Sequence, residues 1–467
     1  MLSRLRSLFT AGVCVLAATL AGQRVSGAEP PIKVLSLSPS PAPIPALGHR
    51  LLPLESELNP GDAAPIYLRL LSKATSQDFR NMIEKPVWLD LPLDQFPAAE
   101  ADELLDSWRQ RLLQIEYGAH RQSCEWNYTL FEQSDHVIDV LLPDAQMMRY
   151  LTRILGVKAR LEITKKHHGE AARTIETGLA FSQHVANGPF LINALIGVAS
   201  AQVMLARVEE LVSLPDAPNL YWSLTALPRP LISMRKAITN EYKMCEWMLP
   251  EMTDLGRDRT SGEWAALVAR LHGRMVKLMA NYRIGEIDPK GRELPGFREW
   301  VLPEAREYAK SRMGKIEGLN DDQMILMYFG GKYRDLYDDV YKACYLPFPE
   351  AKRFYAQGQQ QLLGVKQGPL RLFDALIANV DAGHRAEAIL DRKVAALRVV
   401  EGLRLHAAIA GRLPQSLDEV KVVPIPNDPV SGQPFEYRFA DGTATLVSRM
   451  PDGQESLGLT YRITLRK

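Results

Sequence analysis

Between residues 60 and 411 the apolar side chains of this chain recur at spacings of three and four, and after Gly411 they alternate. This change of period constrains the fold more than any motif. A period near 3.6 buries one face of a helix, and a period of two buries one face of a strand. Pro97 opens a segment with Leu104, Leu105, Trp108, Leu112 and Ile115 on one face. Asp144 is placed to cap a second, carrying Met148, Leu151, Leu155 and Leu161. Further helices are expected over 231–249, 263–284, 303–313 and 321–345. A last long one covers 382–410, with Leu390, Val394, Leu397 and Val400 inward. The stripe of Met324, Met327, Tyr328, Tyr333, Tyr337 and Tyr341 reads as core.

The segment 154–188 predicts two helices joined by a tight turn at His167-His168-Gly169. Ala159, Leu161 and Ile163 precede the turn, and Ala171, Ala172, Ile175, Leu179 and Ala180 follow it. Small residues at such a contact let helices approach closely, as in a tetratricopeptide-like hairpin. No regular period of about 34 residues surrounds it, so no repeat array is expected. The charge-free run 190–206 is long enough to be weighed as a membrane span. It carries Asn193, Ser200 and Gln202, is followed at once by Arg207, and has a strip of Ala194, Gly197 and Ala201. These features predict a central buried helix.

After Gly411 every unusual residue has a backbone role. Pro414 stops the helix, and Ser416 with Glu419 reads as a capping box. Pro424, Pro426 and Pro429 hold the chain extended, while Asn427, Asp428 and Ser431-Gly432 make turns. Phe435, Tyr437 and Phe439 alternate with polar residues, Asp441-Gly442 marks a hairpin, and Leu457, Leu459, Tyr461, Ile463 and Leu465 alternate again. The expected fold is therefore mainly α: a helical-hairpin (tetratricopeptide-like) bundle or irregular solenoid. A small C-terminal α+β module with a three-stranded antiparallel meander follows it.

Arg4 and Arg6 precede an uncharged, mostly apolar stretch at 8–20, and Ser26 and Ala28 sit at the small-residue positions before a cleavage point. This pattern predicts a signal peptide over 1–28 and a secreted or periplasmic protein, the alternative being a retained N-terminal anchor. The expected organisation continues with a Pro/Ser-rich linker over 29–59, extended and poorly ordered. A helical domain with hairpins over 60–285 and a second helical region over 286–381 come next, and the long helix with its β module occupies 382–467. The chain has 56 basic and 55 acidic residues; without residues 1–28, which hold three arginines and no acid, the balance is 53 against 55. No global charge points to a nucleic acid, and membrane contact is expected only through an uncleaved N-terminus.

The chemistry-bearing residues are sparse. His167, His168 and Glu170 form the best metal candidate, with His184 able to join across the hairpin, against the alternative of a solvated turn. Adjacent histidines lack the i, i+4 spacing of a helical zinc pair. Outside the signal segment, which holds Cys14, the cysteines are Cys124, Cys245 and Cys344. Cys124 and Cys245 share the tripeptide Cys-Glu-Trp. A bridge between those two is possible in an oxidising compartment, and three buried thiols are the alternative. Residues 127–129, Asn-Tyr-Thr, fit a glycosylation acceptor. Asp135 with Asp139, and Asp338 with Asp339, are carboxylate pairs that become chemical only in a cleft. Arg398 and Arg404 read as a solvated helix edge. No Gly-x-Ser-x-Gly elbow, phosphate loop, dinucleotide fingerprint or Cys-x-x-Cys occurs, and no cofactor is expected.

Two resemblances add context. The run 403–439, through Gly411, Leu413-Pro414, Ser416-Leu417, Asp428-Pro429, Gly432-Gln433-Pro434 and Tyr437, resembles the C-terminal half of type II secretion major pseudopilins and implies a fold for that segment. The helical part is similar to a family of uncharacterised secreted bacterial proteins. The matching residues are Pro60-Gly61-Asp62-Ala63-Ala64-Pro65 with Tyr67, Leu91-Pro92-Leu93-Asp94, Cys124-Glu125-Trp126, and Leu227-Pro228 with Pro230-Leu231. The expected function is a secreted or periplasmic scaffold working through contacts with protein partners in the cell envelope. The alternatives are an accessory of a secretion or pilus-like system, and a metal-dependent hydrolase with a dispersed site.

Overall fold

The computed structural model describes residues 32–72, 86–126, 137–253, 255–282, 292–365, 369–370, 373, 379–450 and 453–466. The signal segment with Cys14, the acceptor triplet 127–129, Asp135, residues 288–291, Pro451 and Asp452 lie outside these, as do the side chains of Asp139 and Cys245. The chain is mainly helical with a small C-terminal sheet. In order come β1 (Ile32–Leu37), β2 (Asn59–Asp62), α1 (Ala64–Ser72), α2 (Ala98–Ala119), β3 (Arg121–Ser123), α3 (Val137–Thr164), α4 (His168–Ala186), α5 (Leu191–Val212) and α6 (Tyr221–Thr225). Next are α7 (Arg235–Met248), α8 (Ser261–Tyr282), α9 (Leu294–Met313), α10 (Asp321–Tyr341), α11 (Phe348–Val365) and α12 (Asn379–Ala410). The sheet strands β4 (Glu436–Ala440), β5 (Thr443–Ser448) and β6 (Leu459–Leu465) close the sequence.

Two compact units divide the described residues: 235–384, and 32–234 together with 385–466. The boundary expected at 285 falls inside the unit 235–384, and the one expected at 381 lies three residues before its end. The reason is topological. The sheet has four strands in the order β1-β6-β5-β4, with β1 parallel to β6 and the other pairs antiparallel. The stretch expected to be a disordered linker therefore supplies an edge strand in its first residues, with Leu35 and Leu37 buried. A linear pass along the sequence does not pair residue 32 with residue 460.

In the larger unit the expected helical faces hold. Leu104, Leu105, Trp108, Leu112 and Ile115 of α2 are buried, as are Met148, Leu151, Leu155 and Leu161 of α3. Asp144, however, lies inside α3 and not at its start, because the helix begins seven residues earlier at Val137. Lys166 adopts φ 60° and ends the turn between α3 and α4, a conformation more usual for glycine. α5 is long and apolar enough to cross a membrane by length and composition, and 72% of its most apolar window is buried against protein. Gly197 explains the tight approach of α4 and α5: a Cβ there would lie 2.7 Å from the Ser182 carbonyl and 2.5 Å from the Ala186 Cβ.

Charge is deeply buried where the sheet, α5 and α12 meet. Arg404 and Glu401 of α12 form an ion pair at 3.0 Å with both side chains fully enclosed. Arg404 also donates to the carbonyls of Ser38 (3.0 Å), Ala217 (2.6 Å) and Pro218 (3.3 Å). A second cluster centres on Glu209 of α5. It accepts from Lys33 of β1 at 2.6 Å, lies 3.2 Å from Lys393 of α12, and accepts from the Tyr461 hydroxyl of β6. Burial pushes the Glu209 carboxyl up, but Lys393, Lys33 and Tyr461 together hold it below the usual range. Burial brings the Lys393 amine down to about 8. Arg398 and Arg404, expected on a solvated edge, are both buried. Their positions alternate with apolar ones because α12 is enclosed on most sides, not one. Ser416 makes no side-chain cap, so the capping box does not form, although the short helical turn at 417–419 does.

The smaller unit is built on α9, α10 and α11, with α10 central. Phe297 and Phe329 stack at 6.0 Å between ring centroids, and Tyr333 meets Phe373 at 5.0 Å. Met324, Tyr328, Tyr333 and Tyr337 are buried, as a core stripe requires.

Removing one partner of an enclosed pair leaves the other uncompensated. Arg404→Met is expected to lower unfolding free energy by about 3–5 kcal/mol, and Glu401→Leu with Arg404→Met by less. Urea denaturation of the two variants beside the parent chain checks this order.

Candidate functional site

A cleft of about 1500 Å³ lies wholly in the unit 235–384. α10 forms its floor, and α7, α9 and α11 supply walls through Thr239, Tyr242 and Lys243, through Pro303 to Arg312, and through Gln361. α10 carries tyrosines at 333, 337 and 341, and Tyr345 follows at the same spacing of four, so their rings lie along one helix face. Tyr242 stacks on Tyr333 at 5.6 Å with 5° between planes and meets Tyr337 at 4.8 Å. The Tyr337 hydroxyl donates to the Ile238 carbonyl. Tyr341 shares a 2.5 Å hydrogen bond with Tyr345 and one of 3.2 Å with Thr239. These contacts fix the rings before anything binds.

Charges of both signs surround the rings. Tyr308 donates to Asp335 at 3.2 Å, and Arg312 bonds to the same carboxylate. Lys332 lies 5.4 Å above the Tyr308 ring. The Tyr328 hydroxyl donates to Glu304, and burial with that neighbouring carboxylate raises its pKa. Asp339 accepts from Lys342 at 2.5 Å and from Gln361 at 3.2 Å, and Lys342 lies 3.5 Å from Asp338. The hydrogen bond from Lys342 holds the Asp339 carboxyl below its ordinary range. Gly331 lets Tyr308 lie close over α10, since a Cβ there would sit 2.1 Å from its hydroxyl and displace the ring.

The cleft contains Asp338 and Asp339, the carboxylate pair noted in the sequence, but they are engaged by one lysine. A general acid needs a carboxyl raised toward neutrality; Asp339 is shifted the other way. The remaining cleft acids, Glu304, Glu307 and Asp335, were missed by sequence reasoning. Only the packing of α9 on α10 brings them together. The tyrosine spacing of four, with acids between, is the available signal; Tyr328, Tyr333 and Tyr337 are core, as the stripe implies, and Tyr341 is half-buried.

His167, His168 and Glu170 do not assemble a metal site. His167 precedes α4 and its Nδ1 lies 3.3 Å from Glu170, both side chains being more than half exposed. His184 sits at the far end of α4, sixteen residues from His168, and does not join them. No group of three or more His, Cys, Asp or Glu able to hold a metal exists among the described residues.

His184 instead belongs to a buried polar cluster in the larger unit. Its Nδ1 is 2.9 Å from the Tyr67 hydroxyl, and its carbonyl accepts from the Trp126 indole at 2.7 Å. Asp62 accepts from the backbone of Ala64 (3.0 Å) and Glu125 (2.9 Å), and Asn187 donates to the Cys124 carbonyl at 3.0 Å. Several residues that carried the family resemblance thus converge: Asp62, Tyr67, Cys124 and Trp126. Cys124 is buried, and Cys344 is buried in the other unit. Burial brings the His184 imidazole down to about 4, and likewise that of His384 in the smaller unit.

Comparison with protein-family models, curated proteins and solved structures found no match for the chain.

A histidine whose folded-state pKa is depressed stabilises the fold fully above its unfolded value near 6.5, and that contribution is lost as pH falls through about 4. His184→Asn keeps a hydrogen-bonding atom near Tyr67 and cannot titrate. The difference in stability between parent and variant is expected to shrink by about 2 kcal/mol from pH 7 to pH 4. Denaturant unfolding across that range, compared chain against chain, measures it.

Proposed function

We propose that the chain is a secreted or periplasmic helical scaffold that holds a protein partner of the cell envelope, with the tyrosine-lined cleft receiving an extended segment of that partner. The observation that carries this reading is the cleft wall, where the half-buried rings of Tyr242, Tyr308 and Tyr341 stand beside charges of both signs. Tyrosine offers large, rigid, amphipathic contact area at low entropy cost, and it is enriched where proteins bind one another. The paired state of Asp335, Asp338 and Asp339 favours recognition over hydrolysis. Export rests on the basic, apolar and small-residue pattern of residues 1–28. In this reading α3 and α4 act as a tetratricopeptide-like hairpin, supported by Ala171 and Ala172 at the start of α4 being enclosed.

A second reading is an accessory of a secretion or pilus-like system, with β4, β5 and β6 as a pseudopilin-like meander after α12. It is supported by two of the resemblance residues bonding to each other, Tyr437 hydroxyl to Pro414 carbonyl at 2.8 Å. Deleting 412–467 would not test it cleanly, because that deletion also removes Tyr461 from the Glu209 cluster.

A photo-crosslinking amino acid at Ser311 in the cleft, at exposed Ile409 beside the C-terminal module, and at Arg109 as control separates the readings. The scaffold reading expects a discrete protein adduct from Ser311 that Tyr308→Ala weakens at least about fivefold, the range of losing an interface anchor. Adducts from Ile409 alone would replace it with the second reading. Equal labelling from all three positions would overturn both.

A further inference from the structure

A smaller pocket of about 350 Å³ lies in the other unit, over one face of α12. Asp391, Val394, Ala395 and Arg398 line its floor at spacings of three, four and seven, so they share a face. The Pro424–Pro426 strip lies over them, tied down by the Tyr221 hydroxyl donating to the Pro424 carbonyl. Proline at both ends of that strip removes two backbone donors, leaving an apolar wall that competes little for a polar ligand.

The two ends of the floor carry opposite, incompletely used charges. Arg398 is 7% exposed. Its Nε donates to Thr225 at 2.9 Å and one terminal nitrogen to Tyr221 at 3.3 Å, and its guanidinium lies 5.4 Å over the Tyr221 ring. No carboxylate among the described residues pairs with it. A buried guanidinium without a counter-anion is costly unless an anion arrives. Asp391 accepts from the Leu231 N–H through one oxygen at 2.9 Å, and its second oxygen has no donor among the described residues. Arg229, on the exposed rim, is the one other charge acting on that carboxyl, and burial outweighs it to bring the carboxyl up to about 6.

We propose that this pocket binds a short zwitterionic peptide of about three residues, its carboxylate on Arg398 and its ammonium on Asp391, with its middle over Val394 and Ala395. The length follows from the spacing. Seven residues of helix span about 10 Å, and three extended residues span about the same. The volume falls in the range of small-ligand sites. The site is independent of the tyrosine-lined cleft, so either assignment can fail without the other.

Isothermal titration of the full chain with trialanine, beside N-acetylated and C-amidated trialanine, tests it. Free trialanine is expected to bind with Kd below about 1 mM, and each blocked form about tenfold or more weaker, the loss of one charge-assisted hydrogen bond. Asp391→Asn keeps an acceptor for the Leu231 N–H and is expected to weaken the free peptide to the same extent. Arg398→Lys should weaken it severalfold, since an ammonium cannot match the planar fork. Blocked peptides binding as tightly as the free one, unchanged binding in Asp391→Asn, or no heat from free trialanine up to about 10 mM would each overturn the proposal.

Discussion

The enclosed pair of Arg404 and Glu401 is the constraint on which the larger unit depends. One guanidinium holds carbonyls from two places far apart in sequence, Ser38 after β1 and Ala217 and Pro218 after α5, together with the carboxylate of Glu401 on its own helix. Asn219 adds a bond from its side chain to the Glu401 carbonyl at 3.1 Å, and Ser40 bonds to the Arg404 carbonyl at 3.3 Å. The Arg404 and Glu401 side chains are fully enclosed, so their bonds would be costly if left unmade. The N-terminal strand, the loop after α5 and the last helix therefore fold as one object. The Glu209 cluster repeats this arrangement one layer away, joining β1, α5, α12 and β6 through Lys33, Lys393 and Tyr461.

Such networks gain little net stability, because desolvation consumes most of the attraction. What they supply is discrimination. An apolar strand can slide along a sheet edge by two residues and keep its inward pattern. β1 cannot do so without withdrawing Lys33 from Glu209. The same logic holds at the Arg392 end of α12. Arg392 donates to the Leu457 carbonyl at 2.6 Å and reaches Ser448, which in turn donates to buried Asp428 at 2.5 Å. Asp428, prominent in the sequence as part of a turn, also bonds the Val430 N–H at 2.9 Å and so joins that turn to β5.

Local pattern made the helices legible, and long-range pairing hid the rest. The faces of α2, α3 and α12 followed from periodicity, as did the burial of α5, whose Asn193 and Ser200 argued against lipid. The stop at Gly411 and the hairpin at Asp441-Gly442 were legible because each depends on a positive φ, at 70°, 50° and 74°. Residues 32–37 were not: a Pro/Ser tract following a short apolar run looks like a linker until its partner strand, more than four hundred residues away, is known. Arg398 and Arg404 failed for a related reason. A charged residue on an amphipathic helix is normally solvated, and α12 is enclosed on more than one side. At the cleft the tyrosine ladder was visible as a stripe, but its open side depends on how α7 and α9 stand against α10.

The charges on α12 separate what holds the fold from what is left for a ligand. Lys393 and Arg392 each meet an oxygen from the sheet or α5, and Arg404 meets three backbone carbonyls and the Glu401 carboxylate. Arg398 lies between these groups on the same helix, also buried, yet faces only a hydroxyl pair and an aromatic ring. A purely structural arginine at that depth would be expected to hold carbonyls or a carboxylate, as Arg404 does one and a half turns later. Asp391, two turns earlier, keeps one oxygen for the backbone and one unused. Along α12, Lys393, Arg392 and Arg404 are thus engaged by oxygens of the fold, while Arg398 and one oxygen of Asp391 face the same small volume. The ligand proposed for this volume carries both complementary charges at the spacing of two helical turns.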